Sequence, residues 1–200
     1  MRKLYKVLGG ILVLLALLLS SCAGDTAGRT ADHDSGAEEA ASKTPAEAEP
    51  PSEAEPSVEP ITFEGTDLEG NTVSSEIFSQ SKLTMVNVWA TYCGPCLREM
   101  PSLGELSAEY DAEEFQIMGI ISDVQEGEDQ SYAESLIQQT GANYIHLLLN
   151  ESIYYALLTD VTAVPTTFFL DTDGIVLDVV VGAGDKTTWE EIINELLEGL

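Results

Sequence analysis

From residue 61 onward the apolar positions fall into two alternating rhythms. LTMVNVW (83–89) and FQIMGII (115–121) are short apolar runs rich in β-branched and large side chains, the pattern of strands buried on both faces. YIHLLL (144–149) is a weaker run of the same kind. TTFFL (166–170) and IVLDVVV (175–181) flank Asp171-Thr172-Asp173-Gly174, a turn signal that predicts an antiparallel hairpin. Helical spacing fills the gaps at about 95–110, 129–140 and 152–158. The final segment is the most periodic. Trp189, Ile192, Ile193, Leu196, Leu197 and Leu200 share one helical face, and Thr187 with Glu190 reads as a capping box at its start. Helices alternating with strands and closing on a hairpin predict an α/β domain built on a central mixed sheet flanked by helices. Residues 61–200 are long enough to bury a core without disulfides.

The chain before residue 61 has neither rhythm. Arg2, Lys3 and Lys6 precede a run of 13 residues, Val7 to Leu19, dominated by large apolar side chains, and small residues then end at Cys22. That is the layout of an export signal over residues 1–21, and the run is shorter than the roughly 20 residues a spanning helix needs. Leu19-Ser20-Ser21-Cys22 resembles a bacterial lipobox, which implies cleavage before Cys22 and a lipid on its sulfur. The alternative is an uncleaved anchor with a nearby cysteine. Either places the rest of the chain outside the cytoplasm, on the outer face of a bacterial membrane, because the positive flank stays inside. Residues 22–60 are Ala, Glu, Pro, Ser and Thr with hardly a large apolar side chain, a composition that predicts a disordered, extended tether. Past Cys22 there are 35 acidic against 5 basic residues, a net charge of −30. Such a chain repels nucleic acid and anionic lipid surfaces, so neither is an expected partner.

Candidate chemistry concentrates in WATYCGPCLREMP (89–101), where Gly94 and Pro95 separate Cys93 from Cys96. A structural zinc site needs four ligands, and the second pair is missing: Cys22 and His33 lie in the leader and tether, and His146 in a predicted strand. As a staple, a disulfide closing four residues contributes only about 2 kcal/mol, against about 4.7 for a hundred-residue loop. A redox pair gives each residue a reason. A strand runs in and a helix runs out, so Cys93 sits at a helix N-terminus, where free N–H groups and the dipole favour thiolate. Two intervening residues return Cys96 within one turn, and Pro95 suits the first helical turn because it has no N–H to lose there. No metal and no cofactor is implied.

This motif, preceded by VNV and followed by VPTTFFLDTDG, resembles the TlpA/ResA branch of the thioredoxin family over essentially all of residues 61–200. The resemblance implies a thioredoxin fold with an N-terminal hairpin at FEGTDLEGNTV and an extra central helix and strand around 123–150. It implies a membrane-tethered, extracytoplasmic thiol-disulfide oxidoreductase, typically a reductant. Its expected partners are disulfides of extracytoplasmic client proteins, a membrane thiol-electron donor, and the bilayer through Cys22. Clients in keeping with the branch are apocytochrome c and an extracytoplasmic methionine sulfoxide reductase or other oxidised surface thiols. By position Cys93 is the attacking thiolate, Cys96 the resolving cysteine, and the two form the active disulfide. Pro165 matches the cis-proline, Val164 the backbone that pairs with substrate, and Tyr92, Gly94 and Pro95 line the substrate groove.

Glu99 matches an acidic residue near the branch's active site. It takes the Cys96 proton during resolution, raises a thiol pKa by like-charge repulsion, or is a solvated helix glutamate. Asn87 stands where thioredoxin has a buried aspartate, and an amide cannot act as a base. Tyr92 departs from the usual tryptophan. Trp89 is assigned to the core behind the site and Arg98 to solvent. Rival readings are a disulfide-forming oxidant, a peroxiredoxin-like antioxidant, and a metal- or peptide-binding lipoprotein without turnover. Gly184-Asp185-Lys186-Thr187 lacks the spacing of a phosphate loop, and two histidines supply no hydrolase triad.

Overall fold

The computed structural model describes residues 59–200. The expected signal, the lipidated Cys22 and the tether up to residue 58 lie outside the described residues. Five strands form one mixed sheet in the order β5-β4-β3-β6-β7. These are β3 (Leu83–Trp89), β4 (Phe115–Gln125), β5 (Ile145–Leu149), β6 (Thr166–Leu170) and β7 (Val176–Val181). β3 pairs parallel with β4 and antiparallel with β6, β4 pairs parallel with β5, and β6 and β7 make the terminal hairpin. Every residue of β3 is buried, the polar Thr84 and Asn87 included, as befits a central strand covered on both faces.

The pleat of β3 decides what meets the site. Val86 and Val88 join Phe78, Met118, Ile120 and Leu147 in a core on one face of the sheet. Leu83 and Met85 point to the other face, onto α1 (Gly94–Glu109) and α4 (Lys186–Gly199), where Leu103, Leu106, Phe169, Trp189 and Ile193 pack. Period-two alternation puts Asn87 and Trp89 on this second face as well, directly under α1.

The hairpin and insertion expected from the family resemblance are both present. β1 (Glu64–Thr66) pairs antiparallel with β2 (Thr72–Ser74), and the Asp67 carboxylate closes the turn by accepting from Asn71 N at 2.8 Å and Asn71 Nδ2 at 2.9 Å. α2 (Ser131–Thr140) and β5 form the central addition, and α2 ends on Gly141 at φ 70, a left-handed cap suited to glycine.

Three local expectations are corrected. β4 runs four residues beyond its predicted end, to Gln125, through a register shift between Ile121 and Gln125. The helix expected at 152–158 is one α-helical turn, α3 (Glu151–Ile153), running into a π-helical turn over Tyr154–Leu158. The last helix is capped by Asp185, not Thr187: its carboxylate accepts from Thr188 N at 2.9 Å, which leaves Thr187 inside the first turn. An acidic cap also complements the positive end of the helix dipole.

Candidate active site

The β3–α1 junction positions the cysteines. Ser122 Oγ donates to Trp89 O at 2.9 Å, and the Asp123 carboxylate accepts from Thr91 N and from Thr91 Oγ1 at 2.6 Å, so the end of β4 pins the loop that leads into the motif. Cys93 is the N-cap of α1, and its Sγ accepts from Cys96 N at 3.2 Å. The two form a disulfide, with Cys93 4% exposed and Cys96 fully buried. On reduction that N–H and the helix dipole favour a thiolate on Cys93. Gly94 and Pro95 are exposed in the first turn, and Tyr92 projects beside them, 78% exposed.

The Val164–Pro165 peptide bond is cis, and Val164 O lies 3.6 Å from Cys93 Sγ. Pro165 is buried while Val164 is half exposed. A cavity of about 240 Å³ opens beside them, with Tyr92, Tyr154, Leu158, Val161 and Val164 among its walls. The structure thus brings Tyr92, Cys93, Cys96, Val164 and Pro165 together, whereas Cys22 falls outside the described residues.

Glu99 is 2% exposed, not solvated. It follows Cys96 on the buried face of α1, with Met100, Leu103 and Leu106 completing that face. Both carboxylate oxygens accept hydrogen bonds: Oε1 from Asn87 Nδ2 at 3.0 Å and Oε2 from Gly184 N at 3.0 Å. Asn87 Nδ2 also donates to Thr167 Oγ1 at 3.1 Å. Burial still dominates and pushes the Glu99 carboxyl up to about 7; the Gly184 N–H, Asn87 and the Trp189 indole pull the other way. Trp189 Nε1 has no partner at hydrogen-bond geometry, and its pull is the smallest of the three. Among the described residues three buried side-chain polar atoms lack a partner: Asn87 Oδ1, Trp189 Nε1 and the Tyr144 hydroxyl. Burial first, and then the Glu99 charge, raises the Tyr144 hydroxyl above its ordinary value. Asn87 bonds the Glu99 carboxylate, the Trp189 indole pulls on it, and the Tyr144 hydroxyl feels its charge. Arg98 points to solvent, and Trp89 is fully buried behind the site. No group of three or more His, Cys, Asp and Glu among the described residues is arranged to hold a metal ion.

A disulfide at a helix N-terminus beside a cis-proline agrees with what comparison with known proteins finds. The profile of the Redoxin family matches residues 50–197. The chain belongs to the Redoxin family. It is 27% identical over 131 residues to the thiol-disulfide oxidoreductase ResA of Bacillus thuringiensis subsp. konkukian, covering 66% of this chain and 72% of the relative. It is 29% identical over 135 residues to the thiol:disulfide interchange protein DsbE of Escherichia coli K12, covering 68% and 69%. The fold matches the crystal structure of a thioredoxin-family thiol:disulfide interchange protein from Chlorobium tepidum TLS. There the TM-score is 0.59 at 24% identity, over 69% of this chain and 94% of that one. The TlpA/ResA-like thioredoxin fold is therefore established, and this Redoxin domain with its Cys93–Cys96 disulfide is a thiol-disulfide oxidoreductase.

Sequence reasoning missed Asp123, Thr167, Tyr144 and Gly184, and saw Trp189 only as core. Asp123 and Gly184 act across loops whose local sequence carries no periodic signal. Tyr144 sits at the edge of a run that reads simply as a strand. Gly184 opens a Gly-Asp-Lys-Thr fragment that carries no phosphate-loop spacing and no other local signal.

Proposed function

We propose that the chain is a lipid-anchored reductant of protein disulfides on the outer face of a bacterial membrane. The observation that carries the chemistry is the buried Cys93–Cys96 disulfide at the α1 N-terminus, in contact with Val164 beside cis-Pro165. In the reduced enzyme the Cys93 thiolate attacks one sulfur of a client disulfide, forming a mixed disulfide and expelling the other client sulfur as thiolate. The Cys96 thiol passes its proton to Glu99 and attacks Cys93 Sγ. The Cys93–Cys96 disulfide forms and the second client sulfur leaves as thiolate. The client gains two electrons and the dithiol loses two, which a membrane thiol-electron donor restores.

Glu99 suits the proton step because its carboxyl, held up to about 7, can both accept and release a proton near neutral pH. The Val164 backbone is free to pair with an extended client segment, and the cavity walled by Tyr92 and Tyr154 receives an apolar side chain next to the client cysteine. Residues 59–200 carry 3 basic against 26 acidic side chains, so clients that are basic around their cysteines associate fastest. The lipobox-like sequence before Cys22 supports the anchor.

The test pairs two variants with one potential. Cys93→Ser abolishes insulin reduction, whereas Cys96→Ser accumulates mixed disulfides that separate on non-reducing gels. Equilibration of the wild-type couple in thiol-disulfide buffers gives a value near the thioredoxin end, about −270 mV; a value near −120 mV makes the enzyme an oxidant and sinks the reductant reading.

A further inference from the structure

The turn between β7 and α4 touches both halves of the active site. Gly182 N donates to Pro165 O at 2.9 Å, which ties the start of the turn to the cis-proline segment. Two residues on, Gly184 N donates to Glu99 Oε2 at 3.0 Å. Gly184 lies flat against Trp189: a Cβ added there would sit 2.7 Å from Cε2, 2.9 Å from Cζ2 and 3.0 Å from Nε1 of the indole. Trp189 is fully buried among Leu103, Phe169 and Ile193 and has no room to yield. Its unpartnered Nε1 lies beside the Glu99 carboxylate. A glycine at this point is therefore a requirement of close approach, not of backbone angle.

We propose that Gly184 and Trp189 are positioning residues for the redox reaction: the β7–α4 turn holds the Glu99 carboxylate one helical turn from Cys96, and Trp189 is the wall that fixes the turn. This rests on the reading of Glu99 as the proton acceptor for Cys96. Pro165 and the buried acid then share one short support, the turn over residues 182–184. The polar groups that act on or around the carboxylate come from four elements. β3 offers the uncharged Asn87, β6 offers Thr167 behind it, α4 offers Trp189, and the segment before β5 offers Tyr144, the one other titratable side chain beyond the cysteines. With no cation among them, the Gly184 N–H is the largest opposing influence on a carboxyl that burial drives upward.

The experiment follows the Glu99 carboxyl directly, by carbon-13 shifts of glutamate-labelled full chain in the oxidised state, where neither cysteine titrates. Glu99→Gln assigns the resonance that moves near pH 7. In Gly184→Ala the new methyl pushes the turn off the indole, the N–H bond to Oε2 lengthens, and the midpoint rises by about one pH unit. Trp189→Phe removes Nε1 and the atoms the methyl would meet, so alone it raises the midpoint less. Combined with Gly184→Ala, it undoes most of that variant's shift, a suppression that general loosening of the fold does not produce. An unmoved midpoint in folded Gly184→Ala, or in Trp189→Phe should the first not fold, overturns the proposal. Stopped-flow resolution of a Cys93 mixed disulfide with glutathione separates the two readings. If Glu99→Gln resolves at the wild-type rate, the proton-acceptor role fails even where the midpoint shifts hold. If Glu99→Gln slows resolution while both midpoints stay put, the positioning role alone fails.

Discussion

Glu99 and His146 are two buried titratable side chains of this domain, and they are held in opposite ways. Burial drives both toward their uncharged forms: the Glu99 carboxyl rises to about 7 and the His146 imidazole falls to about 4. His146 sits in a closed network. Trp89 Nε1 donates to its Nδ1 at 3.2 Å, which leaves Nε2–H to donate to Ala142 O at 3.0 Å, and Tyr144 lies over the ring at 4.5 Å. Both nitrogens are satisfied in one neutral tautomer, so nothing is gained by titrating. Around Glu99 the network is open: two donors bind the carboxylate, yet Asn87 Oδ1, Trp189 Nε1 and the Tyr144 hydroxyl remain unpartnered. A closed polar cluster fixes a fold; an open one beside a thiol is where a proton can come and go.

The largest test of that contrast uses stability. Glu99 binds its proton more tightly folded than unfolded, so its contribution is full below about 4.5 and is lost as pH rises to about 7. His146 binds its proton more weakly folded, so its contribution is present above 6.5 and is lost as pH falls to about 4. The windows overlap and the slopes oppose, each on the order of 3 kcal/mol. Urea unfolding of the oxidised wild type between pH 4.5 and 6.5 is therefore nearly flat. Glu99→Gln removes one slope and exposes the other, and stability then climbs with pH by on the order of 3 kcal/mol across that range. A variant curve parallel to wild type would mean that Glu99 does not titrate in the fold.

A smaller effect probes the closed side. Gly119 on β4 faces the His146 ring so closely that an added Cβ would lie 2.7 Å from Cε1 and nearer still to Nδ1. Gly119→Ala displaces the ring from Trp89 and costs about 1–3 kcal/mol by overpacking. Because His146 serves packing alone, the Glu99 midpoint stays near 7 while the melting temperature falls. A midpoint that moved with the melting temperature would join the two networks that the hydrogen bonds keep apart.

The strands, most of the helices and the redox motif were legible because each is a local pattern. Apolar runs mark β3 and β4, helical spacing marks α4, and two cysteines bracket Gly94-Pro95. Glu99 was legible in position but not in burial, although a sign was there: Cys96, Met100, Leu103 and Leu106 form one helical face, and Glu99 falls inside it. A carboxylate in an apolar stripe of a helix between two covered faces has little water to reach. The Asp185 cap and the Gly184 contact were not legible, since both depend on where the chain arrives after crossing the sheet. The π-helical turn at Tyr154–Leu158 likewise has the composition of an ordinary helix.

The smallest effect concerns the amide that stands where a base is expected. Asn87 Nδ2 supports Glu99 Oε1, while Asn87 Oδ1 is buried without a partner. Asn87→Leu keeps the approximate volume, deletes the donor and deletes the orphan together. Loss of the donor raises the Glu99 midpoint by about one pH unit in the same carbon-13 titration. Loss of the orphan removes a buried desolvation cost, so stability at pH 5, where Glu99 is protonated, changes little or rises. Asparagine then stands there at a desolvation cost for what it does to the carboxyl. A variant that lost stability at pH 5 with an unshifted midpoint would make Asn87 a scaffold residue, and Gly184 would be left as the principal donor that tunes Glu99.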